Sequence, residues 1–111
     1  MLEAFFKALG EPTRLRIVRL LAEKELCVCE LEEIMEMSQP RISQHLKVLK
    51  HAGLINERRE AQKRMCSLNW EGFNGDLKTL QDFMHTPLDK IPGFTGDAAK
   101  LKTLSEDCCK V

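Results

Sequence analysis

A mainly α-helical domain carrying one small β-hairpin is the fold class this sequence predicts, and three observations carry the expectation. Apolar residues recur at i, i+4 and i+7 in several segments, as they do on the buried stripe of a helix. Two of these stripes, one ending near Met37 and one restarting at Ile42, are separated by only a few residues. Leu54 to Arg59 and Arg64 to Asn69 instead alternate about the turn Glu60-Ala61-Gln62-Lys63, which is a hairpin pattern. At 111 residues the chain amounts to one domain with a modest core.

In order, Leu2, Phe5, Phe6 and Leu9 make a short amphipathic helix ended by Gly10. Glu11-Pro12-Thr13 starts the next helix, whose inward face is read as Leu15, Val18, Leu21 and Ala22, with Arg14, Arg16 and Arg19 on a solvated surface. A third helix is expected to begin between Glu25 and Cys29 and to run to about Met37. Ser38 then caps a fourth, Pro40 fits its first turn, Ile42, Leu46 and Leu49 face inward, and Gly53 takes the left-handed conformation that ends it. Trp70 is read as packed at the edge of the core. Phe73, Leu77, Leu80 and Met84 form an apolar stripe on a last long helix. With the first helix, that stripe suggests a two-fold dimer interface. Residues 86–111 change character: Pro87, Pro92, Gly93 and Gly96 mark a linker, a weak helix follows from Asp97 to about Glu106, and Cys108 and Cys109 close the chain. The expected organisation is a binding and dimerisation domain over 1–85 and a linker and tail over 86–111.

Two helices joined by so short a turn make a helix-turn-helix, whose second helix enters the DNA major groove and reads base edges with its N-terminal residues. Those residues are Ser38, Gln39, Arg41, Ser43, Gln44 and His45, with Lys47 on the outward side. The following hairpin is then the wing of a winged helix, and Arg58, Arg59, Lys63 and Arg64 would reach phosphates or the minor groove. Seventeen basic residues cancel seventeen acidic ones over the whole chain. Between Ser38 and Cys66, however, seven basic residues face two glutamates, so positive charge gathers where DNA would lie. Paired recognition helices one DNA turn apart would suit a partly palindromic double-stranded operator.

Five cysteines, an odd number without a secretion signal, point to reduced thiols or a soft-metal site in a cytoplasmic protein; no segment is long and apolar enough to span a membrane. Cys27 and Cys29 stand where the third helix begins, a position that lowers thiol pKa. If both lay on the helix they would point to nearly opposite sides, and joint ligation of one atom would unwind the first turn. Cys66, in the second wing strand, is read as a packing residue far from that helix.

Glu25-Leu26-Cys27-Val28-Cys29-Glu30-Leu31, then Ser38-Gln39-Pro40, Ile42-Ser43-Gln44-His45-Leu46-Lys47-Val48-Leu49-Lys50 and Ala52-Gly53-Leu54 together resemble the ArsR/SmtB family of winged-helix repressors. Glu11 to Arg14 is similar to that family too, and the likeness covers roughly residues 3–84. It implies a homodimeric transcriptional repressor that holds its operator when free and lets go when a toxic metal or metalloid binds. Cys-Val-Cys at this place resembles the arsenite-responsive branch, where the pattern usually extends to Cys-x-Cys-x-x-Cys; here the third position is Glu32. As(III) and Sb(III) are soft and take three thiolates, so Cys27 and Cys29 leave one place open. Cys108, Cys109 or a small cellular thiol would fill it, and no organic cofactor is implied.

The nearer alternative keeps the repressor and changes the inducer to Cd(II), Pb(II) or Zn(II), with the tail pair completing a four-thiolate site. The family's zinc-type site on the last helix needs a different spacing from that of Asp82 and His85. An enzyme, such as a thiol-dependent arsenate reductase, wants a cysteine followed by a phosphate-cradling loop and an arginine five residues on. None of Cys27, Cys29 or Cys66 has that arginine, and no Gly-rich phosphate loop is present.

Overall fold

Glu11 shows how this chain turns local sequence into architecture. In the computed structural model, which describes residues 2–104, helix α1 (Glu3–Leu9) buries Phe5 and Ala8 and gives way at Gly10 to α2 (Pro12–Glu23). Extended backbone at Glu11 lets its carboxylate accept the Arg14 N–H at 2.9 Å, a capping bond reinforced by Pro12 at the first helical position. The inward face of α2 is Ile17, Val18 and Leu21, whereas Leu15, expected inside, is 52% exposed. Arg14 belongs to that inward stripe and is not a solvated charge. Its Nε and Nη2 donate at 2.9 Å to the carbonyls of Ala8 and Lys7, which α1 leaves without helical partners at its C-terminal end.

Leu26 and Cys27 then form a two-residue strand, β1, before α3 (Val28–Met35). Glu36, in the left-handed region at φ 53°, ends α3, and only Met37 and Ser38 remain before α4 (Gln39–His51). That is the helix-turn-helix. Leu31 and Met35 of α3 and Ile42, Leu46 and Leu49 of α4 share one apolar cluster with Phe5, Ile17 and Leu54. After α4, Gly53 adopts φ 75°, as its place behind a helix requires.

The wing consists of β2 (Ile55–Glu60) and β3 (Lys63–Leu68), antiparallel, with Glu60 opposite Lys63. The turn is the pair Ala61-Gln62, tighter than the four residues expected, and Ala61 carries the positive φ of 56° that such a turn demands. On the other side of β3 lies β1, giving the sheet order β1-β3-β2. This third strand was not anticipated, and it starts α3 at Val28, after Cys27 and not before it.

Asn69 ties the wing's exit to the end of α4: its side-chain amide donates to the Gly53 carbonyl at 2.9 Å, and its Oδ1 receives the Gly72 N–H at 3.1 Å. Helix α5 (Trp70–His85) buries none of its residues, and Trp70, expected at the core's edge, is 52% exposed. The chain divides into two compact units between Leu77 and Lys78, inside α5. The second unit contains a 3₁₀ turn (Leu88–Lys90) and α6 (Thr95–Lys102), with Phe94 edge-on to Phe83 and Ala98 buried. Among the described residues no helix is long and apolar enough to cross a membrane.

Candidate nucleic-acid interface and thiol pair

Residues of α4 sort themselves by what already holds them. Ser38, Gln39, Arg41, Gln44 and Lys47 are exposed, and Arg41 and Lys47 have no ion-pair partner among the described residues. Ser43 is half-buried and its hydroxyl accepts from Gln39 Nε2 at 3.0 Å. His45, placed by sequence among the base readers, turns instead toward the start of α2, with Nδ1 at 3.4 Å from Arg14 Nη1 and 3.9 Å from Glu11 Oε2. It joins the recognition helix to the fold.

The wing is similarly divided. Arg59 and Lys63 are exposed and without an ion-pair partner among the described residues, free to meet phosphates. Arg58 is committed: Nη2 and Nε donate to Glu25 at 2.6 and 3.1 Å, and Nη1 faces Glu60 at 3.1 Å. Arg64 is committed more deeply, donating to Glu57 Oε1 from Nη2 at 2.8 Å and Nε at 3.1 Å, and to Ser43 Oγ from Nη1 at 3.4 Å. Lys50 of α4 reaches the other Glu57 oxygen at 3.2 Å. Burial raises the Glu57 pKa, but the Arg64 and Lys50 hydrogen bonds outweigh it and hold the carboxyl below its ordinary range. Glu57 is the residue sequence reasoning missed. Its signal was there, because a two-residue turn puts Glu57 opposite Cys66 and thus diagonal to Arg64 on one face.

Cys27 occupies the N-cap of α3 with extended backbone, φ −82° and ψ 160°; Cys29 lies two residues on and is exposed. The Cys27 N–H donates to Glu30 Oε1 at 2.9 Å while its sulfur faces the Glu30 N–H, a reciprocal capping box. Cys27 stands outside the helix, at its N-cap, and lines one groove with Cys29. The hydrogen bond with Cys29 and then burial push the Cys27 thiol up, opposite to the lowering expected at a helix start. Cys66 is fully buried and pushed up to about 11, mainly by burial, and it packs within the apolar cluster. It pairs with Leu26, adjacent to Cys27, so it is close to the thiol pair in space though distant in sequence. Cys108 and Cys109 lie outside the described residues, among which no three potential ligands cluster for a metal ion.

A groove of about 200 Å³ opens beside the thiol pair, and its walls include Gln39 of α4 and Gln62, Lys63 and Arg64 of the wing. A helix-turn-helix with a basic wing and a thiol-lined groove between them defines a class of DNA-binding regulators. Residues 11–57 match the family model described as bacterial regulatory protein, arsR family. The arsenical resistance operon repressor of Bacillus subtilis is 41% identical over 76 residues, spanning 68% of this chain and 72% of that one. The arsenic resistance transcriptional regulator ArsR1 of Pseudomonas putida is 52% identical over 58 residues, 51% of this chain and 45% of that protein, so the chain spans about half that relative's length. A crystal structure described as a possible transcriptional regulator for arsenical resistance superposes with a TM-score of 0.64 at 30% identity, covering 91% of this chain and 96% of that one. The chain belongs to the ArsR family of bacterial regulatory proteins, and the relatives named above are transcriptional regulators.

Proposed function

We propose that the protein is a transcriptional repressor that holds double-stranded operator DNA as a homodimer and releases it when As(III) or Sb(III) binds Cys27 and Cys29. The observation that carries this reading is the thiol pair itself, two residues apart at the cap of α3 and lining one groove with residues of the recognition helix and the wing. Relatives named for arsenical resistance support the inducer class. The DNA face is Ser38, Gln39, Arg41, Gln44 and Lys47 with Arg59 and Lys63; its four cations, Arg41, Lys47, Arg59 and Lys63, have no ion-pair partner among the described residues. The half-exposed Phe6 and Trp70 support a second copy of the chain as the cover for these apolar side chains.

The chemistry balances without a base. Arsenite as neutral As(OH)₃ condenses with two thiols, forming two S–As bonds while each thiol proton leaves with a hydroxide as water. Cys108 or Cys109 is the candidate third donor; Cys66 is not, because it packs in the apolar cluster and is not among the residues that line the groove.

Fluorescence anisotropy of a labelled fragment from the protein's own promoter, titrated with arsenite and separately with Cd(II), Pb(II) and Zn(II), tests the reading. Release by arsenite is the expected result. Release by the divalent ions alone would make it a heavy-metal sensor, and absence of DNA binding would overturn the repressor. Repeating the titration on a chain cut before Cys108 decides whether the tail is the third arm.

A further inference from the structure

Two side chains that line the thiol groove end on the same atom of the recognition helix. Gln39 Nε2 donates to Ser43 Oγ at 3.0 Å, and Arg64 Nη1 approaches it at 3.4 Å. A serine hydroxyl has two lone pairs and one proton, so these donors take its acceptor capacity and leave the O–H to donate outward. Arg64 has a second anchor on Glu57 of β2, which Lys50 links back to α4. Wing, recognition helix and groove are thereby fastened through one hydroxyl and one guanidinium.

We propose that Ser43 and Arg64 are positioning residues that transmit occupancy of the thiol groove to the DNA-reading surface. In the free protein, Gln39 and Arg64 hold Ser43 in a donating orientation and lock the wing to α4. An inducer on Cys27 and Cys29 fills space those two side chains border, and they give way. Ser43 then loses its donors and the wing its register on the recognition helix. The inference rests on the function proposed above and adds to it the route by which binding becomes release. It also reassigns Arg64 from phosphate contact to coupling.

The test is the ratio of operator affinity without and with saturating arsenite, measured within each variant so that any loss of basal affinity cancels. Arsenite binding is followed separately, without DNA, through the ultraviolet absorption of S–As bonds. Couplings of this kind typically span about 5- to 150-fold. We expect wild type in that range, Ser43→Ala and Arg64→Ala reduced to within about twofold of unity while still binding arsenite, and Ser43→Thr, which keeps the hydroxyl, restored. Alanine is a good helix former at position 43, so that variant is expected to fold. Variants that bind arsenite and keep the wild-type ratio would overturn the relay and leave the repressor standing. A merely structural role would weaken both affinities together and leave the ratio unchanged. A wild type that binds no arsenite would overturn the function, and the relay with it.

Discussion

Cys27 and Cys66 sit on adjacent antiparallel strands one register step apart, and both are buried, yet they belong to different chemistry. Cys66 shares its pairing position with Leu26 and packs in the apolar cluster; Cys27 pairs with Met65, one step along, and lines the groove with Cys29. Burial alone does not distinguish a ligand from a packing thiol. What distinguishes them is where each belongs: Cys27 lines the groove with a second thiol, and Cys66 is part of the apolar cluster.

The sharpest way to break this contrast is to exchange the roles. Cys27→Ser and Cys29→Ser should each bind operator DNA and lose the whole arsenite effect, about 5- to 150-fold in affinity, in an anisotropy titration. Cys66→Ser should do the reverse. It buries a hydroxyl in an apolar cluster, lowering stability in urea by about 1–3 kcal/mol, while arsenite still releases DNA from the folded protein. A smaller effect concerns pH. Because neutral arsenite and a protonated thiol exchange only water, the arsenite midpoint should stay flat between about pH 6 and 8, whereas divalent ions displace protons and should bind more tightly as pH rises. Smallest in consequence, though simplest to obtain, is the alkylation order at neutral pH. Exposed Cys29 should react first and Cys66 last, as read by mass spectrometry of partially labelled protein, since burial and a thiol pushed up to about 11 both protect Cys66.

Much of the fold was legible because it is local. Ile42, Leu46 and Leu49 announce α4, Gly53 ends it, and alternation from Leu54 to Asn69 announces the wing. What escaped the sequence depends on partners far along the chain. Strand β1 is two residues long, too short for any periodicity, and exists only because β3 pairs with it. That pairing puts Cys27 outside α3, at its N-cap, where the sequence alone starts the helix. Arg58 meets Glu25, 33 residues away, and His45 meets Arg14, 31 residues away, so residues that read as DNA contacts are engaged elsewhere. Composition showed how many cations the wing has; only tertiary structure shows which of them carboxylates already hold.

X-ray absorption at the arsenic edge of the loaded protein tests the central claim most directly, because it counts the sulfur atoms around the bound metalloid. The account predicts the same sulfur shell in wild type and Cys66→Ala, and one sulfur fewer in Cys29→Ala. A sulfur lost in Cys66→Ala, or a shell unchanged in Cys29→Ala, would contradict it.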